Sequence, residues 1–279
     1  MPGDLVGGNW PDKESIEKQA AVYYPAWVKR MQDHALTFYA AVGDHEIGGY
    51  PWPADKADLV RLFKRQFQKH LAMPLNGPLR MKGTAYWFIH ENVLFAALDV
   101  FEKSSGDQTG IVPQVTGEQL QWLELMLSDN AGVEHVVVMG HAPVVPPGEN
   151  TGGLTLAGGT ASPSWQSLKK YHADLYLCGE VHAIHCAQAD GIVQIAHGAA
   201  IGHDPKLNYL VATVSAKGIE LEMKEITVAN EGGRATISAD VRKQGFVTVG
   251  KARLSAEGNG TVMKDVTGCF VITQEAVKK

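Results

Sequence analysis

The sequence predicts an α/β fold with two packed sheets flanked by helices. Three observations carry that reading. Strand and helix patterns alternate through the first half of the chain, while strand patterns dominate the second. Apolar residues make up 45% of the 279 positions and charged residues 20%, enough for a sizeable core. Several short apolar runs stop abruptly at a glycine followed by an acidic residue or a histidine, as strands do when they deliver a loop to one sheet edge.

The elements follow in order. From Lys13 to Met31 the residues Ile16, Ala20, Tyr23, Trp27 and Met31 recur every three or four positions, a helical stripe. Thr37 to Val42 reads as a buried strand ending in Gly43-Asp44-His45-Glu46. Leu59, Leu62, Phe63, Phe67 and Leu71 mark a second helix. Thr84–His90 and Val93–Val100 read as paired strands with Glu91-Asn92 at the turn. Thr116 and Gln119 suggest a capping box opening a third helix. His135–Met139 is a strand that stops at Gly140-His141. Ser162-Pro163 places an N-cap and a proline at the start of a helix reaching about Tyr171. Asp174–Cys178 is a strand leading to Gly179-Glu180-Val181-His182. Strands are then expected at 184–189, 192–196, 209–215 and 219–226. The composition changes after Ile226. The alternation of Ala235, Ile237, Ala239 and Val241, and a hairpin turn at Asn259-Gly260, suggest a small β-rich extension over 227–279 beyond a main domain of 1–226.

Charge and composition exclude several classes. A net charge of −5 gives no nucleic-acid-binding signature, since such binding rests on neutralising phosphates. No apolar run reaches 18 residues, so no membrane span is read. Cys178, Cys186 and Cys269 are too few for a disulfide framework and lack zinc-site spacing. No signal peptide is visible, but the chain opens directly on Met1-Pro2-Gly3-Asp4, so the compartment is left unassigned.

Chemistry points to four loops: Gly3-Asp4, Gly43-Asp44-His45-Glu46, Gly140-His141-Ala142-Pro143 and Gly179-Glu180-Val181-His182. A parallel sheet gathers its C-terminal strand ends on one edge, so loops distant in sequence meet there. Carboxylates and imidazoles converging at such an edge suit a hard-to-borderline metal ion. Taken as residues alone, each has a plainer reading: Asp4 as an N-cap, Asp44 as a turn residue, His45 as a solvated histidine, His141 as strand-end packing, and Glu180 as an ion-pair partner. His34, His70, His90, His135, His172 and His185 read as surface or core histidines, and His197 as near the site or simply satisfied. Trp10, Tyr50 and Trp52 flank two of the loops, either lining a cleft or packing at its rim. The glycine-rich 152–159 stretch is a connection or a rim loop, not a phosphate-binding loop, because it lacks the lysine–serine/threonine ending.

The order Gly-Asp, Gly-Asp-His-Glu, Gly-His-x-Pro and Gly-x-x-His resembles the calcineurin-like metallophosphoesterases, purple acid phosphatases among them, over roughly residues 3 to 226. The resemblance implies a metallophosphoesterase-type β-sandwich with flanking helices and a two-metal site at the strand ends. It implies hydrolysis of a phosphate mono- or diester by a metal-activated hydroxide attacking phosphorus in line. Carried over by position, Asp4 bridges the metals. Asp44 stands where the family usually has asparagine, and Glu180 where it usually has histidine; with His141 these surround the second metal. His182 matches a ligand of the first metal, and His45 the residue that protonates the leaving group or stabilises its charge. Glu46 is expected to orient its neighbours rather than bind metal. The cofactors implied are divalent or trivalent ions (Mn, Mg, Fe or Zn), with the extra carboxylates favouring Mg, Mn or ferric iron. Gly7 replaces the tyrosine of the purple enzymes, so no tyrosinate colour is expected. The family's opening Asp-x-His does not occur, and a chain truncated at its N-terminus is the expectation that accounts for it. The alternative is a non-catalytic relative that binds a metal or phosphorylated ligand on the same scaffold. A third reading is a structural fragment associating through an exposed sheet edge.

Overall fold

A computed structural model describes residues 1–103, 110–147, 153–197, 206–215, 217–231, 234–258 and 260–272. Two sheets form a sandwich. The first has six strands: β1 (Tyr86–His90), β2 (Val93–Ala97), β5 (His135–Met139), β6 (Leu175–Cys178), β7 (His185–Ala189) and β8 (Ile192–Ala196). Their order is β1-β2-β5-β6-β8-β7. The inner four run parallel, and the edge strands β1 and β7 are antiparallel to their neighbours. The parallel strands therefore end together, on the edge where the glycine loops begin.

The second sheet is antiparallel, in the order β14-β13-β10-β9. It comprises β9 (Lys206–Ser215), β10 (Gly218–Thr227), β13 (Val247–Glu257) and β14 (Gly260–Gly268). Val93, Val137, Leu175, Val193 and Ile195 of the first sheet pack against Ile219, Leu221, Met223, Ala252 and Leu254 of the second, with Phe270. Strands on both sides of the division expected at residue 226 thus share one sheet: β10 ends at Thr227, and β13 beyond it pairs with β10 from Ile219↔Leu254 to Glu225↔Val247. A buried polar clasp reinforces the packing. Asp174 accepts hydrogen bonds from the Val136 N–H at 2.9 Å and the Thr261 hydroxyl at 2.5 Å.

The other face of the first sheet is covered by α1 (Lys13–Asp33), α2 (Ala54–Leu71), α3 (Gly117–Asp129) and α4 (Pro163–Lys170). Ile16, Ala20 and Tyr24 turn inward from α1, and Phe63, Phe67 and Leu71 from α2. Ser162 caps α4 as expected, its hydroxyl accepting from the Trp165 N–H. Short hairpins β3 (Phe101–Lys103) with β4 (Ile111–Pro113), and β11 (Ala229–Glu231) with β12 (Arg234–Thr236), lie outside the main sheets.

Three local expectations are corrected. The 37–42 run is extended and buried from Ala40 onward but belongs to neither sheet; residue 1 pairs with it, the Met1 amino group donating to the Tyr39 carbonyl and the Ala41 N–H to that of Met1. The capping box of α3 does not form. Thr116 donates to Glu102 instead, and Gln119 bridges Asp99 and Glu102. The 235–241 alternation is not one strand, because Ser238 caps a short helix α5 (Ala239–Gln244). Asn259 of the expected hairpin turn lies outside the described residues, while Gly260 opens β14 opposite Glu257.

Candidate metal centre

Three loops and the N-terminal segment meet at the C-terminal edge of the parallel strands. β5 leads through Gly140 to His141, and β6 through Gly179 to Glu180. The extended 37–42 segment leads through Gly43 to Asp44. Residues 2–6 run across all of them. The approach is close enough to require glycine at two positions. A Cβ on Gly43 would lie 2.2 Å from Asp4 Oδ1. Gly3 has φ +105°, and a Cβ there would lie 2.6 Å from both Gly43 Cα and His141 Nδ1. Asp4 (φ 58°), Glu180 (φ 65°) and His182 (φ 56°) are non-glycine residues in the left-handed region. Such strained backbone gathers where surrounding structure holds a functional group in place.

His141 is the hub. It is 1% exposed, and its Nδ1 lies 2.7 Å from the Pro2 carbonyl. A carbonyl only accepts, so Nδ1 carries the proton and the Nε2 lone pair faces inward. Nε2 meets Asp4 Oδ2 at 3.3 Å, Asp44 Oδ1 at 3.3 Å and Glu180 Oε2 at 3.2 Å. One nitrogen lone pair and three carboxylate oxygens, all acceptors, therefore converge. Only a cation or a proton between them makes that arrangement favourable. Burial opposes charge on His141, but Asp4, Asp44 and Glu180 outweigh it and raise its pKa well above the ordinary histidine value. Without a metal, the imidazolium proton takes the cation's place. Burial also raises Asp4, whereas for Asp44 it is overcome by His141 and the carboxyl is held below its usual range. The set of one imidazole and three carboxylates fits a hard-to-borderline metal ion.

Asp4, Asp44 and His45 form a second ligand group that shares Asp44 with the group of Asp44, His141 and Glu180. The His45 ring is fixed by Nδ1, 2.7 Å from the Gly7 carbonyl, and the His45 backbone N–H donates to Asp4 Oδ1 at 3.2 Å. Burial lowers its proton affinity, but the Asp4 and Asp44 carboxylates reverse the balance and raise its pKa. His182 is half-buried and belongs to neither group among the described residues.

Glu46 has a larger role than its position in the sequence suggests. It is fully buried. Its Oε2 accepts from the N–H groups of Asp4 (2.6 Å) and Gly43 (2.7 Å), and Oε1 from those of Leu5 (2.7 Å) and Val6 (3.3 Å). One carboxylate thus ties the two aspartate loops together. Burial and the Asp4 charge push its pKa up to about 7, against the pull of these N–H groups. Sequence reasoning also missed three supports. The Trp27 indole donates to Leu5 O, the Tyr50 N–H to Asp44 Oδ2, and the Leu154 N–H to Glu180 Oε1. Backbone groups of this kind leave no residue-type signal. Of the residues flanking the loops, Trp52 is buried and Trp10 is packed against Tyr23 and Phe63, while Tyr50 is exposed. His197 continues β8 to this edge, beside Cys178.

A calcineurin-like phosphoesterase family model matches residues 1–183. The chain belongs to the calcineurin-like phosphoesterase family. Its class is therefore metal-dependent phosphoester hydrolysis, and the carboxylate–histidine cluster offers candidate metal ligands. Among curated proteins, none matches the sequence. Among solved structures, the chain is similar to a dimetal phosphatase from Danio rerio, with 13% identity, a TM-score of 0.51, and coverage of 80% of this chain and 78% of that one. That likeness supports the sandwich fold. Weaker similarities reach a 5'-nucleotidase candidate from Staphylococcus aureus (12% identity, TM-score 0.41, 87% and 48% covered) and GAP50, the inner membrane complex anchor of Plasmodium (11%, 0.37, 90% and 87%). No helix among the described residues is long and apolar enough to cross a membrane.

Proposed function

We propose that this chain hydrolyses a phosphate mono- or diester, with the cation held by Asp4, Asp44, His141 and Glu180. The observation that carries the reading is the convergence of three carboxylate oxygens within 3.3 Å of His141 Nε2. A metal ion bound there supplies Lewis-acid polarisation of the phosphoryl oxygens and lowers the pKa of water from about 15.7 towards about 7. The protein's share is positioning and charge. Pro2 fixes the His141 tautomer, and Glu46 fixes the spacing of Asp4 and Asp44. His45 keeps Nδ1 on the Gly7 carbonyl, which leaves Nε2 for the substrate. Asp4 and Asp44 favour its protonated form, and a protonated His45 can deliver its proton to the departing oxygen.

The test is hydrolysis of p-nitrophenyl phosphate with added manganese by the wild type, His45→Ala and His141→Ala. General acid catalysis contributes roughly 10²–10⁴-fold, so His45→Ala should lose activity on that scale. His141→Ala should lose both activity and bound metal. A wild type that binds manganese without turnover would favour the non-catalytic alternative. Turnover unchanged in both variants would place the chemistry elsewhere.

A further inference from the structure

The loop that follows His45 carries a feature that cation binding does not use. Gly48 and Gly49 take left-handed backbone, and the chain then presents Tyr50. The Tyr50 N–H donates to Asp44 Oδ2 at 3.1 Å, so its backbone is anchored directly to the carboxylate cluster. Lys56 fixes the loop on both sides of it, donating to the Gly49 carbonyl at 2.5 Å and to that of Pro51 at 3.3 Å. The ring is 62% exposed.

This exposed ring ends a continuous row. Tyr50 meets Trp52 edge-on at 5.7 Å between centroids, Trp52 meets Phe101 at 5.6 Å, and Phe101 lies 6.0 Å from the His141 imidazole. Trp52 and Phe101 are buried, so only the outer member of the row faces solvent. Scattered exposed apolar side chains need no explanation. A pinned aromatic at the open end of an aromatic row, tied to a candidate cation ligand, is not scattered.

We infer that Tyr50 determines specificity: its ring gives the site a preference for phosphate esters whose organic group is aromatic. The inference rests on the proposed hydrolytic reading and names the substrate class of the same site. With the phosphoryl oxygens at the carboxylate–histidine cluster, the organic group extends outward over the rim, where Tyr50 offers an edge or a face. Aromatic pairs gain beyond simple burial when stacked with an offset or T-shaped.

The test separates binding from turnover. Manganese-loaded wild type, Tyr50→Ala and Tyr50→Phe are titrated calorimetrically with phenylphosphonate and with methylphosphonate, neither of which has an ester bond to hydrolyse. The wild type should bind the phenyl compound about 3- to 10-fold more tightly, the scale of one aromatic pair. Tyr50→Phe should keep that ratio and Tyr50→Ala should lose it. Both variants retain the backbone N–H to Asp44, so manganese affinity serves as the control for an intact site. Equal affinities in the wild type, a ratio that survives in Tyr50→Ala, or no binding of either compound would overturn the inference. Hydrolysis of p-nitrophenyl phosphate by the wild type reports separately on the underlying reading: a phenyl preference without turnover upholds the aromatic subsite and rejects the hydrolase.

Discussion

Glu46→Gln is the most informative single substitution, because it changes one atom and almost no volume. The native carboxylate accepts two backbone N–H groups on each oxygen. In glutamine one oxygen becomes an NH₂ group, which only donates. Either orientation then sets donors against a pair of backbone donors, Asp4 and Gly43 in one case, Leu5 and Val6 in the other. Each buried N–H left without an acceptor costs roughly 1–3 kcal/mol, or roughly 2–6 kcal/mol for the pair. An opposing gain exists. The Glu46 pKa is pushed up to about 7 by burial and the Asp4 charge, so removing the carboxylate relieves up to about 3 kcal/mol of ionisation cost above neutral pH. With the full relief set against the cost, the net lies between a gain of about 1 and a loss of about 3 kcal/mol, and for a chain of this size each kcal/mol is about 2–4 °C in Tm. Metal affinity should suffer more, because the lost bonds position both aspartates; loss of such a support typically costs about 10- to 100-fold. Thermal melting with and without manganese, together with a manganese titration, reads both quantities. A Tm within 1 °C of wild type, combined with unchanged manganese affinity, would refute the assigned role.

Other expectations are narrower. Gly43→Ala adds a Cβ that would lie 2.2 Å from Asp4 Oδ1, so Asp4 must move; manganese affinity should fall at least tenfold while far-UV circular dichroism remains native. Thr261→Val removes the hydroxyl that satisfies buried Asp174 between the two sheets, and should cost roughly 1–3 kcal/mol in urea unfolding without changing metal binding. His197 has its pKa lowered to about 4, chiefly by burial and secondarily by the Met1 amino group. The folded state therefore prefers the neutral ring, and stability is lost as pH falls from about 6.5 towards 4, by up to about 3 kcal/mol. His197→Asn should flatten the fall in Tm across that window, and an unchanged profile would count against the burial argument.

Much of this architecture was legible because it is written in side-chain type. The 3.6-residue stripes of Ile16–Ala20 and Phe63–Phe67 mark α1 and α2, and the five-residue apolar run of His135–Met139 is β5 at those same boundaries. The meeting of His141 and Glu180 follows from β5 and β6, parallel strands that end at one edge, whereas Asp4 and Asp44 reach it from segments outside the sheets. What remained hidden depends on long-range partners. Gln119 is a plausible capping residue until Asp99 and Glu102 lie beside it. The 37–42 run has strand composition but finds no ladder. The change in composition after Ile226 falls where β10 ends and the short strands β11 and β12 begin, and β13 beyond them pairs with β10. Glu46 is expected from the motif to orient its neighbours, but only the folded chain brings four amides to it.

The second sheet contributes nothing to the cation cluster, yet it covers one whole side of the sheet that does. Among the described residues, every candidate ligand lies within residues 1–183, the span that the family match covers, whereas the chain that shields Val93, Val137 and Leu175 extends to Phe270. An expression fragment trimmed at residue 183 would retain all of those ligands. It would also lack β7 and β8 of the first sheet, and would leave an apolar sheet face open to water. Such a fragment should be recovered as aggregate. For this molecule, the shortest piece that can be handled in solution is set by the wall behind the pocket and not by the pocket.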